Sequence, residues 1–111
     1  MTIDQKDLIY LGEGMMPGLY PCGSLDEVPG YARVVVVSAE TVRGGVASER
    51  LRRRAPQARL IVFVTPQEAK EIPKFLDLGF DDCVCGETHL QRRVKHIVFE
   101  LDTNQLKQQQ D

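Results

Sequence analysis

The chain contains no tryptophan, and only two histidines and three cysteines among 111 residues. Each scarcity excludes something. Cys22, Cys83 and Cys85 are an odd set without the Cys/His spacing of a zinc shell, so neither a disulfide framework nor a metal is expected, and no cofactor is called for. The thiols read as reduced and mostly structural, and those of the Cys83-Val84-Cys85 run are expected on opposite faces of their strand. No apolar run approaches the roughly 20 residues of a membrane-spanning helix, and no basic segment leads into an apolar one as in a signal peptide. A cytoplasmic address without membrane contact is therefore expected. The formal net charge is only -2, so no positive field draws the chain directly to nucleic acid.

What is present is the size and patterning of one α/β domain. A chain of 111 residues buries about two thirds of its unfolded surface and can stand without metal or disulfide staples. Leu60 to Val64 is a continuous apolar run rich in β-branched residues, as in a strand covered on both faces of a parallel sheet. Thr65-Pro66-Gln67-Glu68 then offers an N-cap, a proline at the first helical position and a capping-box glutamate, so a helix is expected from Pro66. Pro73 should kink that helix near Ala69, because proline removes a backbone hydrogen bond. A short strand is expected at Cys83 to Cys85, and Thr88 with Gln91 repeats the cap relation before a second helix. Such alternation favours right-handed crossovers in a parallel sheet.

Thr65 after a strand, then Leu78 to Val84 (LGFDDCV), then an amphipathic helix resembles the last third of a response-regulator receiver domain. Arg33 to Ser38 (RVVVVS) resembles the third strand of that family and Val46 to Arg54 its third helix, so the likeness spans roughly Tyr31 to Leu101. The resemblance implies an α/β, three-layer, flavodoxin-like parallel sheet of four or five strands. Asp7 to Leu11 would be the first strand, but the interval before Arg33 is too short for the helix, strand and helix that the family places there. Turn signals at Met16-Pro17-Gly18, Pro21-Cys22-Gly23-Ser24 and Pro29-Gly30 leave room for one short strand near Leu19 and one helical turn over Leu25 to Val28. The expected fold is thus a shortened receiver that has lost its first helix, with one sheet face left uncovered and seeking a partner. Residues 1–102 would form the domain and 103–111 a polar tail or the start of a linker helix.

The resemblance also says where phosphoryl chemistry should sit. A receiver accepts a phosphoryl group on an aspartate ending the third strand, with Mg²⁺ held by that aspartate and an acidic pair after the first strand. This chain has Ser38 at the acceptor position, Gly12-Glu13-Gly14 for the acidic pair, Gly86 for the phosphate-contacting lysine and Cys83 at the aromatic switch position. Only Thr65 matches, and an N-cap explains it equally well. Glu13, Ser38, Thr65 and Gly86 therefore read as a degenerate phosphoacceptor pocket. The implied function is a non-enzymatic, phosphorylation-independent signalling module that dimerises or regulates an output domain, attached or separate. Its contact residues would come from Ala69, Ile72, Phe75, Cys83, Cys85, Leu90, Val94, Ile97 and Leu101, some of them necessarily core because a helix buries one stripe inward. Leu90, Val94, Ile97 and Leu101 follow a 4-3-4 spacing that would continue to Asn104 and Gln108, so the last helix either frays at Thr103 or runs on out of the domain.

Smaller signals have simpler readings. Arg50, Arg52, Arg53, Arg54 and Arg59 read as a solvated, dipole-complementing helix end. His96, among charged neighbours, reads as a surface histidine. An alternative class is a small α/β redox or phosphocysteine carrier using Cys22, set before Gly23-Ser24 and a possible helical turn, although no base or resolving cysteine lies nearby in sequence.

Overall fold

The computed structural model describes residues 7–109, and the side chains of all of these but 102 and 104–109. In chain order the elements are β1 (Leu8–Leu11), β2 (Tyr20–Cys22), a 3-10 turn (Leu25–Glu27), β3 (Val34–Ser38), α1 (Ala39–Arg43), α2 (Ser48–Arg54), β4 (Arg59–Val64), a 3-10 stretch (Pro66–Glu71), α3 (Ile72–Asp77), β5 (Asp82–Cys85) and α4 (Glu87–Gln109). The five strands form one sheet in the order β2-β1-β3-β4-β5, every pair parallel. This is the flavodoxin-like doubly wound order, with its switch point between β1 and β3.

The central strand explains the architecture. Val35 and Val37 enter a first core while Val34 and Val36 enter a second, and all four are fully buried. Alternation sorts the neighbours likewise. Ile9, Leu11, Leu60, Val62 and Val64 join the first core, packed with Leu51 of α2 and Phe75 of α3. Tyr10, Ile61 and Val84 join the second, packed with Leu90, Val94 and Ile97 of α4. The Cys83-Val84-Cys85 expectation fails on the same arithmetic: residues two apart share a face, and both thiols pack against the first core while Val84 faces the second.

No helix joins β1 to β2, yet the sheet face expected to be left uncovered is not bare. The segment joining β1 to β2 turns back with Leu19 N–H donating to Met16 O, and it buries Met16 and Leu19 against the second core. Gly14 and Gly18, at φ of 85° and 83°, give this short crossover its bends. Cover therefore comes from a loop and one long helix.

Three helix expectations are corrected. The helix foreseen over Val46 to Arg54 is α2 and starts two residues later, at Ser48, while a further short helix that was not foreseen, α1, begins directly after Ser38, the two separated around Gly45 at φ 113°. The stretch from Pro66 is 3-10 until Ile72, and Pro73 lies in the first turn of α3, where its missing N–H has no helical partner to lose. The kink near Ala69 is thus a change of helix type. Finally, α4 starts right after Gly86 (φ 91°), whose carbonyl accepts from Leu90 N–H, so Thr88 lies inside the first turn and is not its cap. At the other end the backbone stays helical past Thr103 to Gln109.

The Gly79-x-Asp81-Asp82 turn is built by hydrogen bonds. Gly79, at φ 96°, ends α3 against Ser48, whose hydroxyl donates to Leu78 O at 2.6 Å. Asp81 accepts from Leu60 N–H at 2.9 Å and from Arg52 at 2.9 Å, while Arg52 also donates to Gly79 O at 2.7 Å. Asp82 accepts from Cys83 N–H at 2.9 Å and pairs with Arg93 of α4. Arg54 donates to Val28 O and Asp26 O, both at 2.7 Å, and Arg59 pairs with Glu100. Most of the arginine cluster therefore braces one element against another and is not a freely solvated helix end.

A Cβ at position 79 would stand 2.8 Å from Ser48 Oγ, and the left-handed backbone adds its own strain. Gly79→Ala is expected to lower stability by about 1–3 kcal/mol, read from urea denaturation midpoints. Adding Ser48→Ala should return the steric part and leave the conformational part.

Candidate functional site

Ligands of doubly wound sheets bind beyond the carboxyl ends of the strands near the switch point. Here that place is a cavity of about 440 Å³ lined by Tyr10, Ser38, Ala39, Glu40, Arg43, Phe63, Thr65 and Glu68. Ser38 ends β3 and caps α1, accepting from Thr41 N–H at 3.2 Å and sharing a hydroxyl hydrogen bond of 2.7 Å with Thr41 Oγ1. The Tyr10 side chain is buried beside Ser38, and burial pushes its pKa up. Gly12 seals this cluster from below: a Cβ there would lie 2.9 Å from Ser38 Oγ and 3.2 Å from the Tyr10 hydroxyl. The first residue after β1 thus has no room for a carboxylate while those hydroxyls stay in place.

The opposite wall is an ion-pair clamp. Glu68 Oε1 accepts from both the backbone N–H and the hydroxyl of Thr65, each at 3.0 Å. Its other oxygen pairs with Arg43, and the same guanidinium reaches Glu71 at 3.2 Å. The Thr65 N–H, followed by Arg43, holds the Glu68 carboxyl below its ordinary pKa, and Glu68 in turn raises that of Arg43. Ser38 and Thr41 on one side and Thr65, Glu68, Arg43 and Glu71 on the other therefore satisfy one another. Among the described residues no group of three or more His, Cys, Asp or Glu side chains is placed to hold a metal ion.

Of the four residues expected in this pocket, Ser38 and Thr65 line it together; Glu13, exposed in the β1–β2 loop, and Gly86, at the end of β5, do not. The sequence reading missed Tyr10, Gly12, Arg43 and Glu68 as neighbours of Ser38. Strand alternation could have placed Tyr10 and the capping box located Glu68, but no local pattern joins Arg43 to residues in another segment.

The expected contact residues divide sharply. Phe75, Leu90, Val94 and Ile97 are buried in the two cores and are not available at the surface. Ala69, Ile72, Cys83, Cys85 and Leu101 are half-buried, all but Ala69 packed against a core. The large apolar side chains that do reach solvent include Leu76 and Leu78 at the end of α3 and Phe99 on α4, at 43%, 50% and 68% exposure. A shallow cleft also runs between β5 and α4, lined by Asp82 to Cys85, His89, Arg92, Arg93 and His96. His96 is exposed there and lies 2.9 Å from Glu100.

Cys22 and Cys83 are not poised as nucleophiles. Cys22 is buried, its Sγ donates to Glu27 O at 3.6 Å, and burial, then Glu27, pushes its pKa up. Cys83 is pushed up to about 11 by burial and by Asp82. No family model matches the chain, and no curated protein or solved structure matches it. Among the described residues no helix is long and apolar enough to cross a membrane.

Two outcomes follow from these environments. Because the folded pKa of Glu68 is lowered, its clamp contributes stability above the ordinary value of 4.5 and loses it as pH falls through the lowered one. Urea midpoints measured across that acid range should fall less steeply for Glu68→Gln than for the native chain. Iodoacetamide should label native Cys22 more slowly than free cysteine at neutral pH, and urea should remove the difference.

Proposed function

We propose that this chain is a receiver-like interaction module that works without phosphorylation, pairing with a second copy of itself or regulating an output domain by contact. The observation that carries this reading is Ser38. It stands at the end of the third strand of a 2-1-3-4-5 parallel sheet, and its hydroxyl is already committed to capping α1 and bonding Thr41, with Tyr10 packed beside it. A hydroxyl in that setting offers Mg²⁺ a far weaker ligand than a carboxylate. Gly12, packed beneath it, leaves no space for the acidic partner that phosphoryl transfer in a receiver requires.

The sheet edges favour contact through helices. β2 is three residues long and carries Pro21, which has no N–H to offer an added strand. On β5 the Cys83 N–H is taken by Asp82, itself held by Arg93. Strand addition is thus discouraged at both sides. What remains beside β5 is the α3–β5–α4 face, with Leu76 and Leu78 exposed on α3 and His89, Arg92 and His96 along α4. An apolar patch with a polar rim is the usual anatomy of a moderate protein interface.

Sedimentation velocity over a concentration series, with and without Mg²⁺ and beryllofluoride, tests the proposal. The expected result is a dimer indifferent to both additions and shifted toward monomer by Leu76→Glu. A change of mass or shape that needs beryllofluoride would reveal a working acceptor carboxylate and end the phosphorylation-independent reading.

A further inference from the structure

The absence of a helix between β1 and β2 leaves a groove on the opposite face from α3. The β1–β2 loop covers the second core with Met16 and Leu19, but it is thinner than a helix and does not meet α4 along its whole length. Between them lies a cavity of about 410 Å³ lined by Leu8, Met16, Pro17, Gly18 and Leu19 on one wall and by Leu90, Gln91, Val94, Lys95 and Val98 on the other. That volume is within the range of small-molecule sites, about 300–1,000 Å³. Water-sized groups occupy about 30 Å³ each, so about a dozen heavy atoms fill it.

The lining fixes the ligand class. All of it is aliphatic, thioether, proline or glycine except Gln91 and Lys95, which lie four residues apart and therefore together on the groove side of α4. Lys95 is exposed and has no hydrogen-bond or ion-pair partner among the described residues, whereas Arg93, Arg59 and His96 each have a carboxylate. The groove thus combines a dry trough, one unpaired ammonium and one amide at its rim. We propose that it binds a medium-chain aliphatic carboxylate, the chain lying along Leu8, Leu19, Val94 and Val98 and the carboxylate meeting Lys95 and Gln91. This site is separate from the Ser38 pocket and from the α3–β5–α4 face, so a dimer formed through that face would leave it open.

Calorimetric titration of the full chain with decanoate, kept below its micellar concentration, tests the assignment against decanol and butyrate. Saturable one-to-one binding of decanoate is expected, with butyrate bound at least tenfold more weakly for want of apolar contact. Lys95→Gln should weaken decanoate about two- to fivefold, the effect of losing one rim charge pair, while leaving decanol unchanged. Val98→Gln, at a half-buried position outside the innermost core, should weaken both ligands. The proposal is overturned by absent or non-saturating binding, by equal decanoate affinity in Lys95→Gln, or by a dimer that loses decanoate binding as it forms. The last outcome would assign the groove to a second copy.

Discussion

Everything in this fold answers to the burial of β3 on both faces. Four consecutive valines with no exposed surface require apolar cover above and below the sheet, and each side chain so buried contributes about 1.5–3 kcal/mol. On one side the cover is conventional, supplied by α2, α3 and the turn at Leu25. On the other a single long helix must serve, and the chain supplements it with two loop residues, Met16 and Leu19. The economy has a geometric consequence: a loop two side chains deep seals the sheet but cannot fill the width of a helix. The groove beside α4 is the remainder, and it is apolar because the helix stripe that lines it is the one burying the sheet.

The switch point is filled from within the chain. Glycine and hydroxyls occupy it, and their packing is tight enough that an acid at position 12 would displace Ser38 or Tyr10. The clamp of Arg43 on Glu68 and Glu71 engages the guanidinium near the mouth and offsets one of the two carboxylate charges it holds. Solvent-exposed pairs of this kind contribute at most about 1 kcal/mol each, so the clamp's larger effect is to leave the guanidinium committed rather than free for a ligand.

The strands were legible in the sequence because they are period-two or continuous apolar runs whose meaning does not depend on distant residues. Val34 to Ser38, Leu60 to Val64 and the short pieces near Leu8 and Tyr20 all lie close to where patterning places them. Helix boundaries were less legible. Pro73 and Thr88 were judged by their usual local effects, and both effects depend on where a helix begins, which Gly86 and the 3-10 stretch decide. The pocket was half legible: Ser38 and Thr65 follow from strand ends, whereas Arg43 finds Glu68 only after two segments dock. The contact residues were the least legible, since a stripe such as Leu90, Val94 and Ile97 looks alike whether it meets its own sheet or a partner.

The Gly79-x-Asp81-Asp82 turn has a structural reason for each of its three residues. Gly79 ends a helix in a backbone region closed to other residues and fits against Ser48. Asp81 satisfies the N–H of Leu60 at the start of one strand, and Asp82 satisfies the N–H of Cys83 in the next. Each carboxylate is held by an arginine from a different helix, Arg52 of α2 and Arg93 of α4. The turn therefore ties both helical layers to the edge of the sheet without reference to phosphate. Removing either aspartate would leave a backbone donor unpaired, at about 1–3 kcal/mol where water cannot reach it. The stability of the sheet alone accounts for such a turn, and the hydroxyls and glycine at the switch point are accounted for in the same way, by their packing on one another.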